Sequence, residues 1–269
     1  MVEFGFFHMK PGMHQKIYAV GIGPGAQGHV TPQAMEALRT ATVIMGYRPY
    51  GERVQPWVGA KRLVLSGMRA EVERCNSAID EALRGEIPAV VSSGDAGVYG
   101  MAGLLLELLQ ERNLPNVEVI VVPGITAATA AAAALGAPLM NDFAVISLSD
   151  LMTPRDTILL RLNQVAGADL ACVLYNPRST KRKELFESAL GVFKVARGPE
   201  LACGWVRNAG TPELHVWVGR LADLLVGEID MSTVVIIGCS QTRIWNGRLV
   251  TVRGYRDISA LNTRNGYVP

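Results

Sequence analysis

Cysteine is scarce in this 269-residue chain and never paired: Cys75, Cys172, Cys203 and Cys239 stand far apart, with no CxxC among them. That spacing argues against a zinc site, an iron–sulfur site or a disulfide framework, and it fits a reducing, cytoplasmic compartment. Cys172 and Cys203 lie in apolar runs, the usual setting of a buried structural thiol. Charge of one sign is also short. Twenty-six Lys and Arg against 24 Asp and Glu leave a net +2, too little to make nucleic acid the main partner. No apolar run reaches the ~18 residues of a membrane-spanning helix. Residues 1–15 lack the charged start, apolar stretch and cleavage site of a secretion signal and read as an extension. The histidines His8, His14, His29 and His215 are scattered, and no GxSxG, HExxH or GxxxxGK[ST] occurs. No nucleophile-plus-base set is therefore legible, and hydrolase and kinase chemistry lack support. No metal site is expected.

What the chain has is apolar substance and glycine: 49% hydrophobic residues, 19% charged and 28 glycines. Such a composition supports a sizeable core and excludes wholesale disorder. Strand-like runs at Lys16–Gly23, Thr42–Gly46, Arg62–Leu65, Ala89–Ser93 and Val117–Val122 alternate with helices near Pro32–Thr40, Ala70–Arg84 and Met101–Glu111. Short apolar strands separated by helices predict a parallel sheet covered on both faces. An alanine-rich helix, Ala127–Leu135, opens a second series. Its strands are Phe143–Ser149, Leu170–Tyr175, Leu201–Val206, His215–Val218 and Thr233–Ile237, with helices near Arg155–Val165 and Arg182–Ala196. The later strands follow one another closely, as in a mixed sheet. The expected organisation is an extension (1–15), an N-terminal α/β domain (16–126), a C-terminal α/β domain (127–255) and a tail (256–269), with the boundary near residues 124–128.

Three glycine-containing turns fall at the carboxyl ends of the first, fourth and fifth strands, where open α/β sheets bind ligands. The first, Gly21-Ile22-Gly23-Pro24-Gly25-Ala26, matches the dinucleotide fingerprint GxGxxG/A. Three features count against a dinucleotide. Pro24 stiffens the loop. The next helix begins only at Thr31-Pro32, an N-cap followed by proline at the first helical position. About twenty residues on, where a ribose-binding acid belongs, the chain reads ATVIMG. The second turn, SSGDAGVYGM at 92–101, sets Asp95 among glycines. Its carboxylate suits hydroxyls or a sulfonium cation, or it caps the helix that follows. The third, VVPGITA at 121–127, leads into the alanine-rich helix, where small side chains admit either a ligand or a neighbouring helix. A methyl transfer from a sulfonium donor needs no nucleophilic side chain; the protein's task is to align donor and acceptor and exclude water.

With GIGPG (21–25), SSGDAGVYGMAG (92–103), VVPGITAA (121–128), LGAPL with DFAVISLSDLMTP (135–154) and VLYNPRS (173–179), the chain resembles the tetrapyrrole methylases across about residues 16–255. ISLSDL and YNPRS are similar to the subgroup that methylates precorrin-3B, or its cobalt-containing counterpart, at ring carbon 17 and contracts the ring during cobalamin synthesis. The resemblance implies two α/β domains with a cleft between them, a parallel-rich N-terminal sheet and a mixed C-terminal one, and a homodimer. It implies S-adenosyl-L-methionine as donor and S-adenosyl-L-homocysteine as product. Donor contacts carry over to Pro24, Gly94, Asp95, Val98, Thr126, Ala127, Tyr175 and Asn176, with Glu213 and Leu214 in the Thr211–Leu214 turn. Asp95, Asp142 and Tyr175 are candidates for acid–base work, as is Asp150. The carboxylates of the tetrapyrrole would meet Arg178, Lys181 and Arg182, with Arg48 or Arg155 as further candidates. Two departures stand out: Asn141 where histidine is common, and Cys239 where asparagine is usual. Alternatives are a relative with another acceptor, a nucleotide-binding oxidoreductase and a non-catalytic binding module.

Overall fold

The structure, a computed structural model, describes residues 15–178 and 184–254. Lys181, Arg182, the residues before Gln15 and those after Gly254 lie outside the described residues. The chain divides into two compact units: residues up to Ala127 together with Gly210–Pro212, and Ala128–Ala209 together with the chain from Glu213 onward.

The first unit holds strands β1 (Gln15–Gly21), β2 (Val43–Tyr47), β3 (Arg62–Ser66), β4 (Pro88–Ser92) and β5 (Val117–Val122). They form one sheet in the order β3-β2-β4-β1-β5, and every pairing is parallel. Helices α1 (Pro32–Thr40), α2 (Arg48–Val58), α3 (Glu71–Leu83) and α4 (Ala102–Glu111) supply the crossovers. Side chains alternate between the faces. Ile17, Ala19, Val43, Met45 and Val90 pack with Cys75 and Ile79 of α3 and Leu105 of α4, while Val20, Ile22, Ile44, Ala89 and Val91 pack with Leu38 of α1 and Val54 of α2. A sheet buried on both faces needs apolar residues on both, which is why its strands read as continuous apolar runs. Sequence reading leaves 48–58 unassigned, because Pro49, Gly51 and Pro56 mask the helical pattern. Yet Pro49 sits harmlessly in the first turn, and Gly51 answers to packing, since a Cβ there would lie 2.0 Å from Leu65 Cδ2 and force that side chain to move.

The second unit begins with α5 (Ala127–Leu135) and β6 (Gly136–Ala137). Then come β7 (Phe143–Ser147), α6 (Arg155–Gly167), β8 (Ala171–Tyr175), α7 (Glu184–Arg197), β9 (Ala202–Arg207), β10 (His215–Arg220) and β11 (Thr233–Ile237). The sheet order is β10-β9-β11-β8-β7, parallel only between β7 and β8 among adjacent strands. Phe186 and Phe193 of α7 and Ile158 and Leu162 of α6 are buried against Cys172, Leu174, Trp205 and Val235 on one face. A hairpin of β12 (Thr242–Trp245) and β13 (Arg248–Thr251) pairs with β6 in a small third sheet. Sequence reading misses that hairpin although its signal is strong: Asn246-Gly247 stands between the strands, both with positive φ, as a two-residue hairpin turn demands.

All four cysteines are free and buried, and burial pushes the Cys75 thiol up to about 11 and those of Cys172 and Cys203 to about 12. Among the described residues no helix is long and apolar enough to cross a membrane, and no group of three or more His, Cys, Asp or Glu could hold a metal ion.

Candidate active site

Because the first sheet is wholly parallel, all five strands present their carboxyl ends at one rim. The loops after β1, β4 and β5 meet there. Ile22 N–H donates to Ser92 O (3.0 Å), and Gly23 and Gly94 exchange both backbone hydrogen bonds, at 3.0 and 2.8 Å. Gly23 and Gly94 both have φ near +70°, a region that strains any side chain. The approach is so close that a Cβ on Gly124 would fall 2.2 Å from Gly94 O, and one on Gly21 would lie 2.7 Å from Gly124 N. Glycine here is a requirement of backbone-to-backbone contact.

Asp95 ties these loops together. Its Oδ1 accepts from Gly97 N–H (2.7 Å) and Val98 N–H (3.1 Å), and its Oδ2 accepts from Gly124 N–H (2.9 Å). Helix α4 starts only at Ala102, so Asp95 is not its cap; the carboxylate organises the loop and fastens it to the end of β5. A Cβ on Gly94 would point toward Ala127 N and Thr126 Cα, at ordinary van der Waals distances of 3.7 and 3.8 Å. Pro24, Gly94, Asp95, Val98, Thr126 and Ala127 are thus brought to one rim.

The loop after β1 has a further partner that sequence reading missed. Ala26 N–H donates to Gly210 O (2.6 Å), and a Cβ on Gly25 would lie 2.4 Å from that same oxygen. Gly210 has φ +76°, and a Cβ there would lie 2.6 Å from His29 Nδ1. No local pattern could reveal the pairing, because the rest of the first sheet and the Ala128–Ala209 part of the second unit intervene in sequence. Helix α1 begins at Pro32 with Thr31 as its N-cap, the hydroxyl accepting from Ala34 N–H at 3.1 Å. A short 3-10 turn at Gln27–His29 separates it from the glycine loop. The helix start that a dinucleotide pyrophosphate needs directly after the glycines is therefore absent.

In the second sheet β7, β8 and β9 run one way and β10 and β11 the other. Tyr175 and Asn176 at the end of β8, Asp150 after β7, and Glu213 and Leu214 before β10 therefore share one end of the sheet. The Tyr175 hydroxyl accepts Ala128 N–H (2.7 Å), one of the N–H groups that the first turn of α5 cannot satisfy internally. Asn176, at φ 51°, donates from Nδ2 to Ser147 Oγ (3.0 Å). Asp142 precedes β7 and so lies at the opposite end, about 16 Å along the strand from Ser147 at ~3.3 Å per residue. The structure does not bring Asp142 to Tyr175. Neighbouring Asn141 donates to Gln241 Oε1 (2.7 Å) and Val252 O (3.2 Å), bracing the chain on either side of the β12–β13 hairpin. At the same end, Cys239 N–H donates to Thr242 Oγ1 (2.9 Å), in a buried chain that runs on through Thr251 to Pro138 O. Both departures from the family pattern thus sit in structural contacts.

Of the basic residues, Arg178 donates from Nη1 to Val226 O (2.7 Å). Arg155 pairs with Glu184 (3.3 Å) and donates to Ser188 Oγ (3.1 Å). Arg48 is exposed at the start of α2.

The model of the tetrapyrrole (corrin/porphyrin) methylases matches residues 16–225, most of the chain. The chain is a tetrapyrrole methylase. As such it is a methyltransferase. It is 42% identical over 236 residues to a probable cobalt-factor III C(17)-methyltransferase of Salmonella typhimurium, a match covering 88% of this chain and 98% of that protein. The crystal structure of the methyltransferase CobJ superposes with a TM-score of 0.83 at 38% identity, covering 88% of this methylase and 98% of that chain. A uroporphyrin-III C-methyl transferase from Thermus thermophilus, solved in complex with S-adenyl homocysteine, shares the fold at 24% identity, with a TM-score of 0.65 and coverage of 83% and 97%.

Proposed function

We propose that this methylase transfers a methyl group from S-adenosylmethionine to carbon 17 of a precorrin-3B or cobalt-factor III type ring, with ring contraction, in cobalamin synthesis. The observation that carries the reading is the glycine-walled rim of the first sheet, where three loops touch backbone to backbone and Asp95 locks them. Such a surface lets a ligand reach backbone N–H and C=O groups that side chains would otherwise screen. The donor set fits a nucleoside with a charged sulfonium: exposed loop backbone beside one carboxylate, and no cationic side chain among Gly94–Met101 or Pro123–Ala127. S-adenosylmethionine, when bound, supplies an activated methyl electrophile, so the chain's own residues need only hold, orient and exclude water.

Within this reading Pro24, Gly94, Val98, Thr126 and Ala127 contact the donor, and the family likeness adds Tyr175, Asn176, Glu213 and Leu214. Asp95 acts chiefly by holding the loops, since three N–H groups already occupy its oxygens. Arg178 and Lys181 with Arg182 serve the acceptor's carboxylates. The likeness extends the proposal to a homodimer in the cytoplasm.

The test pairs calorimetry with turnover. S-adenosylhomocysteine should bind the wild type. Precorrin-3B or cobalt-factor III with labelled donor should give a ring-contracted product heavier by one labelled methyl. Binding of S-adenosylhomocysteine without methylation of either ring would reject the acceptor, and NAD(P) affinity in its place would favour the oxidoreductase.

A further inference from the structure

The rim that gathers the glycine loops has a second, chemically different half. In the order β3-β2-β4-β1-β5, the glycine loops follow β4, β1 and β5. Beyond β2 and β3 stand aromatic and cationic residues instead. Tyr47 closes β2, and α2, starting at once, carries Tyr50 and Arg53. The Tyr47 and Tyr50 rings meet edge to face at 5.2 Å, and the Arg53 guanidinium lies 5.8 Å from the Tyr50 centroid. From α3, Arg74 reaches the same region with 5% exposure. It donates to Ser66 Oγ (2.9 Å) and Gly67 O (3.1 Å) above β3, and its Nη1 lies 3.7 Å from Met101 Sδ, in the loop after β4.

Among the described residues this charge has no carboxylate paired with it. Arg62, Arg112, Arg155 and Arg197 are each paired with a carboxylate. Among the described residues Arg53 and Arg74 are not. Arg53 Nη1 is shut off from solvent and has no hydrogen-bond partner. Of the nearby acids, Glu52 is exposed and Glu71 accepts from Arg69 N–H. Burial lowers the proton affinity of Arg53, and it raises that of the Tyr50 phenol against the opposing pull of Arg53 and Arg74. Guanidinium groups removed from water are costly unless an anion completes their hydrogen bonds. A planar fork beside a phenol is suited to a carboxylate.

We propose that Arg53, with the Tyr50 hydroxyl, anchors a carboxylate arm of the acceptor ring beside the glycine half of the same rim. The proposal rests on the tetrapyrrole reading above and adds to it a specificity residue absent from the sequence-derived set. Arg53 holds the acceptor by one arm and takes no part in bond making.

The experiment titrates the protein with a porphyrin carrying free acetate and propionate arms, and with the same ring fully esterified, following tryptophan fluorescence. S-adenosylhomocysteine affinity is measured alongside. For R53Q, binding of the acid porphyrin should weaken by about tenfold or more, the value of a charge-assisted pair. Ester binding and S-adenosylhomocysteine affinity should stay unchanged. R53K, which keeps the charge and loses the fork, should recover part of the loss, and this variant keeps the test usable if R53Q folds poorly. Acid-porphyrin affinity at the wild-type level in both variants overturns the inference while the methylase reading stands. A wild type that ignores both porphyrins overturns the acceptor reading, and the inference with it.

Discussion

The first sheet is parallel throughout, whereas the second has one parallel pair of neighbours and then alternates. In the first, topology alone gathers the ends of β1, β4 and β5, so the site is built from backbone and depends on what is missing, namely side chains at Gly21, Gly94 and Gly124. In the second, the strands present both kinds of end at each rim, and position is held by side-chain hydrogen bonds: Tyr175 to Ala128, Asn176 to Ser147, Asn208 Nδ2 to Glu213 O. A backbone-built rim tolerates no added atom. A side-chain-built one loses its parts one hydrogen bond at a time.

The largest effect should come from adding one methyl group to the first rim. Gly124→Ala places a Cβ against the Gly94 carbonyl, a clash between two backbones that no rotamer relieves. It should cost about 3 kcal/mol and lower S-adenosylhomocysteine affinity at least ~100-fold, read by thermal denaturation and calorimetry. Gly191→Ala is the control: within α7 a Cβ there meets nothing within 4 Å, and helix propensity should make that variant more stable by up to about 1 kcal/mol. Equal losses from the two would remove the distinction drawn between the units.

A smaller effect is expected from Tyr175→Phe, which leaves Ala128 N–H without its acceptor at the first turn of α5. A loss of about 1–2 kcal/mol in stability should follow, seen as faster amide exchange at Ala128. Unchanged protection there would break the view of the second rim as held by side chains.

The smallest lies away from the rims. Burial works against the charge of Asp169, but the Ser240 hydroxyl and amide and Arg197 outweigh it and hold the carboxyl below the ordinary aspartate range. A depressed carboxyl stabilises the fold above its unfolded value of about 3.9, and the benefit fades as pH falls through the folded value. Since the side chain is 45% exposed, solvent screening keeps the effect under about 1 kcal/mol. Asp169→Asn should lower the melting temperature slightly at pH 7 and match the wild type near pH 2. A difference constant with pH would show that the charge is not its origin. Asparagine tolerates the φ of 55° at this position, so the backbone is not a competing cause.

Much of the fold was legible in the sequence wherever burial imposes a periodicity. The first-sheet strands read as apolar runs, Thr31-Pro32 marked the start of α1, and the glycine turns marked the strand ends. Helix α2 was not legible, because its glycine and prolines answer to Leu65 and to helix position, which are tertiary facts. The hairpin around Asn246-Gly247 is legible in that dipeptide, whose residues take the positive φ of a two-residue turn. In the candidate site, the meeting of the loops at Gly21, Gly94 and Gly124 could be expected once a parallel sheet was expected. That Asp95 spends its oxygens on backbone N–H groups could not, nor could the separation of Asp142 from Tyr175, which depends on strand direction.

By itself, then, the amino-acid order determined which segments become strands and helices, where the chain must do without side chains, and the family it belongs to, because these follow from local patterning and backbone freedom. Only the tertiary structure decided which loops touch and which charges lack partners. Gly210 beside Ala26 is set by packing between segments whose spacing in the chain carries no trace of the contact. Tyr50 and Arg53 are helical neighbours three residues apart, but that no acid among the described residues meets Arg53 depends on which segments pack around α2.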